Sequence, residues 1–566
     1  MSFLIGIDVG GTNTNGVLLK GVQVLSTVRT PTDHHNLHAG TEEVLTRLLQ
    51  ALPGEEREPV ELHLSTTLAT NAIVEGKGAP TAVLIIPGPG LRWEDLPVPF
   101  KLYPLAGAID HRGRETGPLD REEVRAAVRA AKAAGYQALA AVGKFSPRNF
   151  QHELAIEELI KAEFPELAPV TLGHRLSGRL NFPRRITTAA LNASIAALQA
   201  EFVRMVEAVR DQYRLGKVYL LKADGGTLAL HESVHRSIET ILSGPAASLM
   251  GTMALTEGLA DAVALDIGGT TTEISVFVGG EPLAEREGAV IAGYPTLVPA
   301  FFSRSLGLGG DSQVTFDGDR VTIGPQRMGP PAALGGSGVT PTDAVVVLGG
   351  AALGDARQAY AALEMMGAPY GLEPHALAEK IVDAFAQQAA AAIEEVYAEL
   401  NSQPVYTVSQ VLAGAKLWPE QLIGMGGPAA YFIPKIAGKL GLPYQVLPYY
   451  EAANAIGAAA SRPTFAITLR ADTALRKLVV PELDYEAAIG QPFTFNLEAA
   501  RQEAVRQTVN YARKMGAAVA ADEVEITEEE VFNMVRNFYT VGKNFNLRAQ
   551  VKPKICRIGP TAAGAL

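Results

Sequence analysis

The stretches DVGGTNTNG (residues 8–16) and DIGGTTTEIS (residues 266–275) write nearly the same phrase twice in one chain of 566 residues. Each follows an apolar run and leads into another, which reads as a strand, a tight Gly-Gly-Thr turn and a second strand. The glycine pairs remove side chains, so that backbone N–H groups can approach an anion closely. Thr12 and Thr270 add hydroxyl donors. Asp8 and Asp266 stand where a strand ends, a place from which a carboxylate can hold a hydrated divalent cation or orient a nucleophile. One such turn alone is only a good turn. Two, each flanked by strands, can grip a polyphosphate from both sides.

Neither copy is a dinucleotide fingerprint, because G-x-G-x-x-G is missing and a strand follows the glycines. No phosphate-binding G-x-x-x-x-G-K-[ST] occurs either. A third glycine turn, Gly424-Met425-Gly426-Gly427-Pro428, opens a helix and could pack against a flat base and its ribose. Asp224 beside Gly225-Gly226 either faces a substrate or satisfies a turn. Ser243-Gly244-Pro245 either presents N–H groups to an anion or only starts a helix. His34, His35 and His38 read as a solvated loop beside Pro31 and Asp33, which leaves His174 as the histidine to watch as a ligand.

The elements that must position these residues alternate between strand and helix, the signature of an α/β fold. A helix from Thr41 to Leu52, a strand from Val60 to Leu64 and a helix within STTLATNAIVEGKG follow the first hairpin. Further on come the buried strand TAVLIIPG, a long helix through RITTAALNASIAALQAEFVRMVEAVRDQY, and a helix in SGPAASLMGTMAL whose small residues permit close packing. Gly- and Pro-rich residues 305–340 read as a loop or small insertion over the cleft. The texture changes after Pro463, so the expected units are 1–170, 171–462 and a C-terminal cap, 463–566. A hydrophobic content of 47% with 19% charged residues is that of a globular protein with large cores. The net charge of −11 argues against nucleic acid or an anionic membrane as partner. No stretch approaches the roughly 18 uninterrupted apolar residues of a membrane helix. A single cysteine, Cys556, excludes an internal disulfide and a cysteine-held cluster, and the expected location is cytoplasmic.

The order of two phosphate hairpins and then a Gly-rich adenosine turn resembles the actin, sugar-kinase and heat-shock ATPase superfamily. Within it, the chain resembles the A subunit of the hydantoinase/5-oxoprolinase family. IGIDVGGTNTNGVLL, STTLATNAIVEGKG, HRLSGRLNFPRRITTAALNA, KADGG, LSGPAAS, ALDIGGTTTEISV, TPTDA, GMGGPAAYFIPKIAGKLG and EAANAIGAAAS carry the likeness, in family order, over about residues 3–462. The resemblance implies two actin-like domains around a cleft, with ATP and Mg²⁺ as cofactors. It also implies opening of a cyclic amide after phosphorylation of the ring carbonyl oxygen. Carried over by position, Asp8, Gly10, Gly11 and Thr12 take one side of the phosphates and Asp266, Gly268, Gly269, Thr270 and Thr271 the other. Gly426 and Gly427 lie against adenosine, and Asp8 and Asp266 hold the metal. Thr66, Thr67 and Asn71 face the cleft near the terminal phosphate, with helix capping as their alternative role. A B-type partner subunit and a homo-oligomer are further expectations.

Two stretches depart from the family. GPGLRWEDLPVPFKLYP replaces an Arg-rich segment, and the Gly-rich loop before TPTDA appears as GLGGDS. The segment after Pro463 is also short. These changes bear on the substrate more than on the nucleotide. A reactivating ATPase chaperone and a small-molecule kinase are the competing readings, and a radical-enzyme activator is disfavoured by the lack of cysteines.

Overall fold

The computed structural model describes residues 3–32, 37–52, 60–402 and 416–558. His34 and His35 lie outside these residues, as does the side chain of His38. Strand Phe3–Val9 is buried at every position and pairs antiparallel with Asn13–Lys20, which pairs antiparallel with Gln23–Pro31. On its other side Phe3–Val9 runs parallel to Glu61–Thr66, and that strand runs parallel to Val218–Leu221. The second sheet repeats this order. Ala262–Ile267 pairs antiparallel with Thr272–Val278, which pairs antiparallel with Ser303–Leu306. On the other side it runs parallel to Gln421–Met425, and that strand to Tyr444–Val446. The duplication therefore covers five strands of each sheet. Ser65 stands beside Asp8 in register as Met425 stands beside Asp266, so the Ser-Thr-Thr turn and the Met-Gly-Gly turn occupy matching places.

The outer face of the first sheet is covered by helix Leu37–Gln50 and the long helix Phe182–Tyr213, which bury Val44, Leu48, Val203 and Val206 against Ile5, Ile7 and Leu62. Helices Pro374–Ser402 and Ala429–Leu440 cover the second sheet, with Phe385 stacked on Phe432 at 4.0 Å. Helix Phe182–Tyr213 is long and apolar enough to cross a membrane by length and composition, but 67% of its most apolar window is buried inside the protein. Its core packing accounts for that apolarity.

Two shorter helices, Ser243–Leu255 and Ala453–Ala460, lie against each other between the sheets. They touch backbone to backbone. A Cβ on Gly251 would strike the Ala453 carbonyl oxygen, and one on Gly457 would strike the Ala247 carbonyl oxygen. Strand residue Gly6 meets the Ala455 carbonyl in the same way. Only residues this small let two helices and a strand approach so closely.

The chain leaves the first sheet for a separate four-stranded sheet (Lys101–Pro104, Thr81–Ile86, Ala138–Gly143 and Thr171–Leu172). It then returns to the first sheet at Val218–Leu221 and Thr227–Ala229, past the expected unit boundary at residue 170. Parallel neighbours need long crossovers, and this excursion is one. Residues 305–340 include the small hairpin Val314–Phe316/Val321–Ile323. Beyond Pro463 a five-stranded antiparallel sheet packs on helix Leu497–Lys514. The cap is tied back to the centre, since Cys556 N donates to the Ala460 carbonyl and Ile558 N to the Ala254 carbonyl.

Candidate active site between two hairpins

Both hairpin turns close alike. Gly10 N donates to the Asn13 carbonyl at 3.1 Å, and Gly268 N to the Thr271 carbonyl at 2.9 Å. The turns face each other: a Cβ on Gly269 would lie 2.9 Å from Thr12 Oγ1. Around Gly11, by contrast, a Cβ would meet nothing within 4 Å. The loop GLGGDS lies over the second turn, where Gly310 N donates to Gly268 O at 2.9 Å and Asp311 N to Gly269 O at 2.6 Å. TPTDA holds that loop in place. Thr342 Oγ1 donates to Gly310 O at 2.7 Å, while Asp343 is fully buried and takes the N–H groups of Ala332, Ala333 and Thr340.

Behind the turns the two strand-end carboxylates share one amide. Asn454 Nδ2 donates to Asp266 Oδ2 at 3.0 Å and to Asp8 Oδ2 at 3.4 Å. Ser248 Oγ donates to Asp266 Oδ2 at 2.6 Å. Asp8 is 3% exposed, and burial pushes its carboxyl up to about 6. The nearby negative charge of Asp266 pushes the same way, while hydrogen bonds from Ser65 and Asn454 partly offset both. Glu273, opposite Asp266 across the hairpin, is also raised by burial. Two carboxylates this close are a place where a cation would relieve repulsion.

Ser243 Oγ clamps the Ser-Thr-Thr turn, donating to Thr66 O at 2.9 Å and accepting from Thr66 N at 3.2 Å. Thr66 Oγ1 accepts from Leu68 N, so Thr66 takes the local capping role. Thr67 stands at the N-cap of helix Leu68–Val74 without a side-chain cap bond, and its Oγ1 accepts from Asn71 Nδ2 at 3.3 Å. Gly426 has φ +92°, and a Cβ there would lie 2.8 Å from Asp266 Oδ1, so packing against the second hairpin demands glycine. Over Gly427 sits the guanidinium of Arg29, which pairs with Glu451 at 3.0 Å across the cleft. Asp224 satisfies its turn: it accepts from Gly226 N at 3.0 Å and pairs with Lys222 at 3.1 Å.

His174 is not placed to be a metal ligand. It is fully buried, its Nδ1 2.5 Å from Glu153 and its Nε2 2.7 Å from Asp484 of the cap, so both ring nitrogens are engaged. Burial alone would lower its pKa, but the two carboxylates hold it above the usual imidazole value. Its work is to join the four-stranded sheet to the cap.

Five site residues have no role assigned from the sequence, Ser65, Ser248, Asn454, Asp311 and Arg29, although all but Arg29 lie within the stretches that carry the family likeness or depart from it. A signal did exist for two of them. Ser248 and Asn454 are polar residues inside small-residue helices (PAASLMG and AANAIGA), where a polar side chain needs a partner. Among the described residues no group of three or more His, Cys, Asp or Glu could hold a metal. A divalent ion here would depend on Asp8, Asp266 and oxygens brought by a ligand, as Mg²⁺ at phosphates commonly does.

Two sheets of matched order, each with a Gly-Gly-Thr hairpin turned toward a shared cleft and paired helices between, define an actin-like ATPase fold. Residues 4–164 match the N-terminal region of the hydantoinase/oxoprolinase family and residues 185–467 its hydantoinase/oxoprolinase domain. The chain belongs to that family. It is 25% identical over 491 residues to caprolactamase subunit alpha of Pseudomonas jessenii, covering 79% of this chain and 68% of the relative. It is 28% identical over 394 residues to the acetophenone carboxylase gamma subunit of Aromatoleum aromaticum, covering 61% and 53%. The chain thus spans about two thirds of one relative and half of the other. The crystal structure of the ATP-dependent caprolactamase from Pseudomonas jessenii superimposes with a TM-score of 0.69 at 18% identity, covering 99% of this chain and 89% of that one. Nucleotide-free acetone carboxylase gives 0.66 at 16%, covering 98% and 88%. At such identities these two structures speak for the fold.

Proposed function

We propose that the protein is an ATP-dependent hydrolase that opens a cyclic amide, a hydantoin, 5-oxoproline or related lactam, by phosphorylating the ring carbonyl oxygen. The observation that carries this reading is the meeting of two glycine hairpins in front of Asp8 and Asp266, joined by Asn454. Amide resonance makes the ring carbonyl a poor electrophile. In the proposed reaction the carbonyl oxygen attacks the terminal phosphorus and ADP leaves. Water then adds to the activated carbon, and the C–N bond opens as the nitrogen takes a proton, leaving an acyl phosphate. A second water attacks the same carbon and displaces phosphate, which carries the former ring oxygen away and leaves an amino acid or its carbamoyl analogue.

In this scheme Gly10, Gly11, Gly268 and Gly269 present backbone to the phosphates, with Thr12, Thr270 and Thr271 as hydroxyl donors. Gly426 and Gly427 form the adenosine side of the cleft, which Arg29 must vacate or stack upon. Asp8 and Asp266 would hold Mg²⁺, which when bound neutralises phosphate charge. Thr67 and Asn71 orient the ring. Both curated relatives are subunits, which supports a separate B-type partner for completion of the reaction. The carboxylase relative supports a second reading, in which the same activated oxygen precedes carboxylation.

Oxygen-18 placed in a ring carbonyl tests the scheme. Label appearing in released phosphate supports carbonyl phosphorylation. ATP turnover that no cyclic amide stimulates, with or without a partner subunit, overturns it, and turnover that requires bicarbonate selects the carboxylase reading.

A further inference from the structure

The cap does more than close the fold: it helps build a second polar cavity away from the hairpin turns. This cavity, of about 40 Å³, lies where the KADGG loop, the turn at Arg236–Glu239 and the cap sheet meet. That is room for a few water-sized groups. Its carboxylates are already engaged. Asp224 and Glu239 both face Lys222 Nζ, at 3.1 and 3.5 Å, and Glu239 also pairs with Arg236 at 2.8 Å. Glu482 spends one oxygen on Gly178 N at 2.9 Å and the other on Thr468 N at 3.0 Å.

Donors, in contrast, are left over. Arg548 lines the cavity from cap strand Tyr539–Val551, and its guanidinium has no acceptor within hydrogen-bond or ion-pair distance among the described residues. Tyr511, 9% exposed on the cap helix, also lines it, and its hydroxyl has no partner there. Ser177 is 4% exposed; its oxygen accepts from Arg179 N at 3.3 Å, and its proton has no acceptor. Burial holds the Arg548 guanidinium below its ordinary pKa, and the like charge of Arg179 acts the same way, while the more distant carboxylates of Glu482, Glu528 and Glu239 partly oppose both. The Arg548 nitrogens face the cavity without a protein acceptor and are not sealed from solvent, so an anion entering the cavity would meet donors that only water can otherwise satisfy.

We propose that this cavity binds the carboxylate of a small organic anion, with Arg548 as its principal partner and Tyr511 and Ser177 as hydroxyl donors. A planar guanidinium matches a carboxylate in shape, and the cavity is far too small for a nucleotide. The loop that lines it continues strand Val218–Leu221, the neighbour of the strand that ends in Ser65 and Thr66. An occupant would therefore brace the cap against the sheet carrying the first hairpin.

The test uses the full chain, with sodium glycolate as probe and neutral glycolamide as control, read by calorimetry and thermal shift. Glycolate should bind saturably and glycolamide should not. Arg548→Gln should weaken glycolate binding by about tenfold or more. Tyr511→Phe, which keeps the packing, should weaken it several-fold, on the order of one hydrogen bond. Asp8→Ala should leave glycolate binding unchanged, which separates this cavity from the proposed nucleotide cleft. Absence of saturable glycolate binding, or equal affinity in Arg548→Gln, overturns the proposal. Should Arg548→Gln fail to fold, an unchanged affinity in Tyr511→Phe overturns it instead.

Discussion

Ser248 and Asn454 hold matching places on the two central helices, and Ser248 Oγ lies 3.4 Å from Asn454 Oδ1. Each follows the alanine whose carbonyl meets the other helix's glycine, Ala247 against Gly457 and Ala453 against Gly251. The two helices thus deliver a hydroxyl to Asp266 and an amide to both Asp266 and Asp8. Helix contact and site geometry are one structural fact, and most of the expected outcomes below follow from it.

Replacing Asn454 with alanine removes the shared donor. Asp8 should then titrate above its present value of about 6, because a hydrogen bond that favours its charged form is gone while Asp266 remains. Affinity for Mg·ATP at pH 7 should fall about 5-fold or more, corresponding to roughly 1 kcal/mol. Isothermal titration across pH 5–8 reads both effects, and an unchanged profile would remove Asn454 from the site.

Asp8 should trade stability for binding. Its folded pKa is raised, from 3.8 to about 6, so the folded state keeps a proton that the unfolded chain has lost. That difference disfavours the apo fold increasingly as pH rises through this interval, and the full penalty stands at pH 7. Asp8→Asn should accordingly be more stable than the parent at pH 7 by ~1–3 kcal/mol in denaturant titration while losing metal-nucleotide binding. In the parent, Mg·ATP affinity should drop as pH falls below about 6. If Asp8→Asn is less stable and still binds, the carboxylate has another role.

Gly457→Ala should destabilise by about 1–3 kcal/mol, because its methyl group meets a backbone carbonyl that cannot turn aside. Forcing the helices apart also moves Asn454, so nucleotide affinity should fall in parallel. Gly438→Ala is the control, since a Cβ there meets nothing within 4 Å. Equal stability of the two variants, measured by thermal melting, would contradict the close helix contact.

The cap should loosen in alkali. His174 carries a raised pKa, so its contribution is complete below the ordinary imidazole value of 6.5 and is lost as pH rises through the folded value. Glu153 is held below 4.5, where burial is outweighed by His174 and neighbouring hydrogen bonds, so its contribution is lost as acid titrates it. Protection in strand Ala466–Asp472, the intrinsic exchange rate at each pH over the observed one, should therefore be greatest between these limits and fall on the alkaline side. His174→Gln should flatten the alkaline limb, and a limb that persists in this variant would assign the effect elsewhere.

The hairpins, the glycine turn and the α/β alternation were legible from residue order alone, because turn chemistry and strand patterning act over a few neighbouring residues. Their duplication even foretold that two sheets would match, since DVGGT and DIGGT each demand flanking strands. What only the tertiary structure decided lies at separations no local pattern reports. Asn454 reaches Asp8 across 446 positions, and His174 reaches Asp484 across 310. The first sheet closes only after an excursion of its own chain, and a parallel neighbour can arrive from any later crossover. His174 stood out only as the histidine to watch as a ligand, because its sequence neighbours say nothing of Glu153 and Asp484. A titratable group takes its role from the charges that burial sets beside it, and folding alone chooses those.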